Sequence, residues 1–231
     1  MMIGKNTKIA STAVIYDDVI IEDDVVIHDY VVIYPKTIIK KGCEIFPHCT
    51  IGKLPVAPCS SRAVKKEFST LVIGENSVLC PCVCIYAGTT IGRNTLLGDN
   101  CSIREDCTIG DYCIISRNVS VNYCTKIGNH VKVMDNSHIT GNMVIEDDVF
   151  VSVLVSTTND NSIGRDSYSD NMKGAYIKKG AMIGAGANLL PNITIGSGAI
   201  VGAGSVVTKD VPDKMVAMGI PAKVIKEVQG E

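Results

Sequence analysis

From Ile3 the chain returns to isoleucine at every sixth position, through Ile9, Ile15, Ile21, Ile27, Ile33, Ile39 and Ile45 to Ile51. The rhythm resumes at Ile73, with Ile, Leu or Val in the same place, and again at Ile177. Six residues of α-helix turn through about 600°, so this spacing walks around the axis and makes no stripe. On a strand, positions i and i+4 face the same side. The fifth place of these hexads is small or β-branched, as at Thr7, Ala13, Val19, Thr37, Ser77, Thr95, Ala187 and Ser205. Each hexad therefore turns one large aliphatic and one smaller side chain inward. Glycine recurs in the second place, as at Gly74, Gly92 and Gly110, which is expected where a turn needs positive φ. Short strands and turns with no helix between them describe an all-β chain, a parallel β-helix. Three hexads per coil give about ten coils, roughly 4.8 Å apart.

Composition agrees with narrow stacked layers. The chain is 46% hydrophobic but only 5% aromatic, so its apolar content is aliphatic. A net charge of -2 gives no reason to expect a nucleic acid polymer as partner. No run approaches the roughly 18 apolar residues of a membrane span. The start, MMIGKNTKIAST, lacks the apolar core of a signal peptide. A cytoplasmic protein with reduced cysteines is expected.

The hexad phase assigns directions to the chemically active residues. Cys43, Cys49, Cys101, Cys107 and Cys113 fall in the fifth place and read as core. Cys80, Cys82 and Cys84 should face outward, but they form no C-x-x-C pair, and no metal is expected. His28, His48, His130 and His138 all avoid the inward places. The repeat breaks at about 53–72 and 159–176, which read as exposed loops, with Ile163-Gly164 keeping the earlier register. The whole chain, 1–231, is expected to be one domain, capped from about 212 to the end.

Ile183 and Val201 are one coil apart, so Ala185-Gly186 should lie beside Ala203-Gly204. Small outward residues there leave a strip where a ligand can approach the backbone closely, for instance an extended amide-bearing arm such as pantetheine.

The repeat resembles that of the hexapeptide-repeat acyltransferases, whose coils form a left-handed parallel β-helix. The segment VTKDVPDKMVAMGIPAKVIK, 207–226, is similar to the C-terminal end of acetyl-CoA-dependent members. That resemblance implies coenzyme A binding, with Gly219, Pro221, Ala222 and Lys223 in the matching stretch and Lys209 nearby. Lysines suit phosphates as point charges. Where many relatives have Gly-Pro-Gly, this chain has Ser152-Val153-Leu154, which alters the seat of the acyl end.

In sugar-acting relatives a catalytic His occupies the third place of a hexad, followed by Asp or Asn. Here that pair is Gly141-Asn142, and His138 stands three residues earlier, at the adjoining corner. His138 and Asn142 are the catalytic candidates. A neutral amine attacks a thioester unaided, whereas a hydroxyl needs a base, so the displaced His favours an amino acceptor. The stretch HITGNMVIEDDVF…TTNDNSIGR resembles N-acetyltransferases for nucleotide-linked amino sugars. It makes Asn159, Asp160 and Arg165 substrate-binding candidates. The implied activity is acetyl transfer from acetyl-CoA to a nucleotide-linked deoxyamino sugar for surface polysaccharide. The implied assembly is a homotrimer with sites between subunits. Another small amine or alcohol as acceptor, or a non-catalytic β-helix scaffold, are the alternatives.

Overall fold

The computed structural model describes residues 2–56, 65, 67–165 and 172–229. Within them are three sheets of ten, twelve and ten strands, parallel but for the last strand of the second, and no helix. No helix is therefore long and apolar enough to cross a membrane. The strands occupy the sixth and first places of successive hexads, and each pairs with the strand one coil on. Ile91 lies beside Ile109, Leu97 beside Ile115 and Ile103 beside Val121. We number the faces from the N-terminus: the first begins at Met2–Ile3, the second at Lys8–Ile9 and the third at Val14–Ile15. First-place aliphatics and fifth-place small residues fill one continuous core along the axis. Ile3 is the exception, exposed where the first coil has no neighbour beneath it.

Two hydrogen-bond ladders supplement the strand pairing. Inside, the fifth-place side chain donates to the second-place carbonyl of the next coil. Ser77 donates to Gly92, Thr95 to Gly110, Thr125 to Thr140 and Ser137 to Ser152, all at 2.7–2.9 Å. The fifth-place cysteines join it: Cys107 donates to Asn122 and Cys113 to Gly128, each at 3.1 Å. Burial pushes the Cys113 thiol up to about 11, so it stays protonated and able to donate. Outside, third-place Asp and Asn accept from the third-place amide one coil below, as Asp111 does from Arg93 and Asp147 from Asn129.

The glycine expectation is corrected by the backbone. Positive φ belongs to the fourth place, where Asn, Asp and even Tyr112, His130 and Leu154 adopt it at 56–59°. Second-place glycines other than Gly52 are there for clearance. A Cβ on Gly98 would sit 2.7 Å from the amide nitrogen of Arg117 in the next coil.

Both excursions leave from the edge between the third and first faces. The first joins Thr50–Lys53 to Leu71–Ile73, and the second joins Ser156–Thr157 to Tyr176–Ile177. The coil pairing closes over each, with Ile39 beside Ile73 and Ile145 beside Ile177. The first excursion walls a cavity of about 250 Å³ with Tyr34, Pro35, Leu54, Phe68 and Leu71. Ile163 does not keep the earlier register: it is 90% exposed in a turn at φ 54°, because the chain has already left the prism. At the C-terminal end, Met215–Gly219 extends the second face and Ala222–Glu227 folds back antiparallel on it, turning through a cis Ile220-Pro221 bond.

Candidate functional site

The edge between the second and third faces changes character near the C-terminus. Its lower corners are polar, with Asp135 accepting from Ser116, from the Arg117 amide and from the Arg117 guanidinium. Its upper corners are Val153-Leu154, Ala185-Gly186 and Ala203-Gly204. The Gly204 amide donates to the Ala185 carbonyl and the Gly186 amide to the Val153 carbonyl, so the pairs are stacked as their spacing predicts. A Cβ on Gly186 or Gly204 would meet nothing within 4 Å, so the edge is open.

That stacking decides which backbone groups a ligand could use. The amides of Gly186 and Gly204 are already engaged between coils. Some third-place amides, such as those of Arg93, Arg117 and Asn129, are capped by an Asp one coil above, but Ala185 has Ala203 above it, and alanine has no acceptor. Among the described residues, no acceptor meets the N–H of Ala185 or Ala203. Leu154, 60% exposed, closes the lower end of this strip.

Beyond the strip, Lys209, Pro221, Ala222 and Lys223 line one shallow depression of about 330 Å³ with Val207 and Asp210. Gly219 ties the hairpin to the top coil by donating its amide to Ser205 Oγ at 3.1 Å. The structure thus brings the strip, both candidate lysines and the Gly-Ile-Pro-Ala-Lys turn to one end of the prism.

His138 is not at a corner. It lies in the strand His138–Ile139 on the flat of the third face, because the sixth place is a strand position and the corners are the third and fourth places. Ser120 and Ser156 flank it in register on the coils below and above. Its Nδ1 lies 2.7 Å from Ser120 Oγ. Half-burial holds its imidazole below the usual histidine range, since the charged form loses hydration without gaining a counter-charge. Asn188, in register above Ser156, donates from Nδ2 to the Gly186 carbonyl at 3.3 Å. One column of side chains therefore runs from Ser120 through His138 to the strip.

The other face of the site is the base of the second excursion. Gly141 is buried beneath the ring of Tyr123, one coil below, where a Cβ would meet ring carbons at 2.6–2.9 Å. Asn159 donates from Nδ2 to the Gly141 carbonyl at 3.3 Å and reaches the Tyr123 hydroxyl at 3.4 Å. Asn142 donates to the Met172 carbonyl at 2.8 Å, so it anchors the returning end of the loop. The Asp160 carboxylate accepts from the Ser162 hydroxyl and amide and from the Gly164 amide, which builds a turn over 160–164. Those donors, the Ser162 hydroxyl foremost, hold its carboxyl below the usual carboxylate range. Arg165 is exposed at the end of this turn, and residues 166–171 lie outside the described residues. Asn142, Asn159 and Asp160 thus shape the loop. Sequence reading missed Tyr123, Ser120 and Met172. The signal for Tyr123 was a large ring one coil below a glycine in the same third place. Among the described residues, no three His, Cys, Asp or Glu side chains gather as metal ligands would.

Sequence patterns of the family described as bacterial transferase hexapeptide (six repeats) match residues 1–35, 18–53, 88–122 and 174–209, together just over half the chain. Serine acetyltransferase of Salmonella typhimurium is 39% identical over 116 residues, covering 48% of this chain and 39% of that protein. The Buchnera aphidicola serine acetyltransferase is 41% identical over 101 residues, covering 41% of this chain and 34% of that one. The matched stretch spans only a third to two fifths of the length of these curated relatives. In fold, the chain is similar to an Arabidopsis UDP-N-acetylglucosamine acyltransferase, with a TM-score of 0.77 at 20% identity over 95% of this chain and 74% of that one.

Proposed function

The chain belongs to the bacterial transferase hexapeptide family, with its left-handed parallel β-helix, and we propose that it transfers acetyl from acetyl-CoA to the amino group of a nucleotide-linked deoxyamino sugar. The observation that carries the cofactor assignment is the pair of uncapped amides at Ala185 and Ala203 on an open edge. Pantetheine presents amide carbonyls along an extended arm, and these suit donors spaced by one coil. The arm runs from the Lys209–Lys223 depression, which takes the phosphates, down to Leu154. There the bulky side chain turns the thioester off the edge and onto the third face, toward His138. The names of the relatives, serine acetyltransferase and UDP-N-acetylglucosamine acyltransferase, support acyl transfer at the coarser level.

The acceptor amine attacks the thioester carbonyl. The carbon–sulfur bond breaks, coenzyme A leaves as its thiolate, and the nitrogen gives up its proton to that thiolate or to Nε2 of His138. Burial disfavours the charged form of the His138 imidazole, which suits it to accept a hydrogen bond from the incoming amine. Tyr123, Asn142, Asn159, Asp160 and Arg165 border the space for the sugar and its nucleotide. A homotrimer, with a neighbouring subunit closing that space, completes the reading.

A second reading has a hydroxyl acceptor, as in a small hydroxyamino acid. It is favoured by a half-buried His138 able to serve as base and by the identity to serine acetyltransferases. The acceptor panel described at the end of the Discussion separates the two. Absence of coenzyme A binding by calorimetry would leave only a scaffold.

A further inference from the structure

We infer that Ser120 is a positioning residue for His138, holding its Nδ1 so that Nε2 is the nitrogen presented to the acceptor; this rests on the reading of His138 given above. The two residues face each other in register on adjacent strands of the third face. Parallel neighbours are about 4.8 Å apart, which a hydroxyl and an imidazole bridge without distortion, and Oγ and Nδ1 are 2.7 Å apart. The lone-pair directions of the two ring nitrogens diverge. With Nδ1 turned to the coil below, Nε2 faces the coils that follow, where Asn188 meets the strip at Gly186.

Nothing charged competes for the ring within this column. From below upward it reads Ser102, Ser120, His138, Ser156 and Asn188. The nearby acid Asp135, at the preceding corner, is bound to Arg117 and Ser116. For Nε2 to keep its lone pair, the neutral ring must carry its proton on Nδ1 and donate it to the Ser120 hydroxyl. The hydroxyl goes on accepting from Nδ1–H once Nε2 is protonated, so this contact survives either state, and unlike a carboxylate it adds no charge that would hold the proton on the ring. It gives the ring a fixed direction without fixing its charge, which suits a group that receives a proton and returns it.

Ser120→Ala deprives the protonated ring of its acceptor at Nδ1, so the charged form is stabilised less. Ser120→Thr keeps the hydroxyl and suits a strand. The test is a titration of the His138 imidazole nitrogens by long-range proton–nitrogen NMR in the full chain, for wild type and both variants, with pH profiles of kcat/KM alongside. In Ser120→Ala the His138 titration is expected about one pH unit lower. The acidic limb of kcat/KM should move the same way, Ser120→Thr should restore both, and thermal unfolding should be unchanged. An unshifted titration in Ser120→Ala, with His138→Ala slow, overturns the role of Ser120 alone. A full rate in His138→Ala removes His138 from the reaction, and with it this role, whatever the titration shows.

Discussion

The Thr95 hydroxyl donates to the Gly110 carbonyl at 2.9 Å, while the Thr37 hydroxyl, in the same place of its own hexad, has no partner among the described residues. The carbonyl that Thr37 would use is that of Gly52. Gly52 lies at φ 84° in the strand that leads into the first excursion, where the register shifts, so this rung of the ladder is not made. Thr95→Val strands the Gly110 carbonyl and removes the acceptor of the Cys113 amide, and should cost about 1–2 kcal/mol. Thr37→Val removes an unsatisfied buried group and should be neutral or stabilising. Denaturant unfolding of the two variants checks the contrast, and equal losses would contradict the inner ladder.

Ala203→Phe should leave the melting temperature within a few degrees of wild type, because the side chain is exposed on the edge. The ring would cover the open strip, so acetyl-CoA affinity should fall at least about tenfold, by roughly 1.4 kcal/mol. Calorimetry reads this directly. Unchanged affinity would place the cofactor elsewhere.

Asp160→Ala removes the acceptor of three hydrogen bonds and should unfasten the 160–164 turn. The prism does not depend on that turn. Acetyl-CoA affinity should therefore stay at the wild-type value while KM for the acceptor rises several-fold. Because the Asp160 pKa is depressed, the turn is stable above the ordinary carboxylate range and is lost as pH falls through the lowered value. A KM unchanged by the substitution would separate this turn from the acceptor site.

The period of six alone carries three features: the β-helix, the inward cysteines and the stacking of Ala203 on Ala185. Each depends only on counting residues along a regular coil. What failed depends on local geometry that counting does not carry. The second-place glycines suggest positive φ in the sequence, yet their reason is the clearance between coils at Gly98 and its equivalents. Ile163 matched the register in sequence but lies beyond the point where the chain leaves the prism. The sequence suggests a corner for His138, but the sixth place belongs to a strand. Tyr123 was legible in principle, one coil below Gly141. Its contact with Asn159 was not, since that arises from the irregular path of the loop.

His138 gives a pH prediction with a definite sign. Burial lowers its folded pKa, so the unfolded chain binds more protons in the window between the folded value and the ordinary one. Its contribution to stability is full above about 6.5 and is lost as pH falls through the lowered value. His138→Gln should flatten that part of the stability profile. For catalysis, His138→Ala should cost about tenfold if the amine attacks with only a hydrogen bond from the ring, and about 10²–10⁴ if the ring is an obligatory base. Stopped assays at saturating acetyl-CoA distinguish the two.

The most direct measurement is thiol release from acetyl-CoA by the purified chain over a panel of acceptors. The panel contains nucleotide-linked amino sugars, the same sugars with hydroxyl in place of amine, and serine. The account predicts turnover with one or more of the amino sugars, an N-acetyl product by mass, and no turnover with the matched hydroxyl sugars or serine. Turnover confined to serine or to a hydroxyl sugar, with an O-acetyl product, would contradict it.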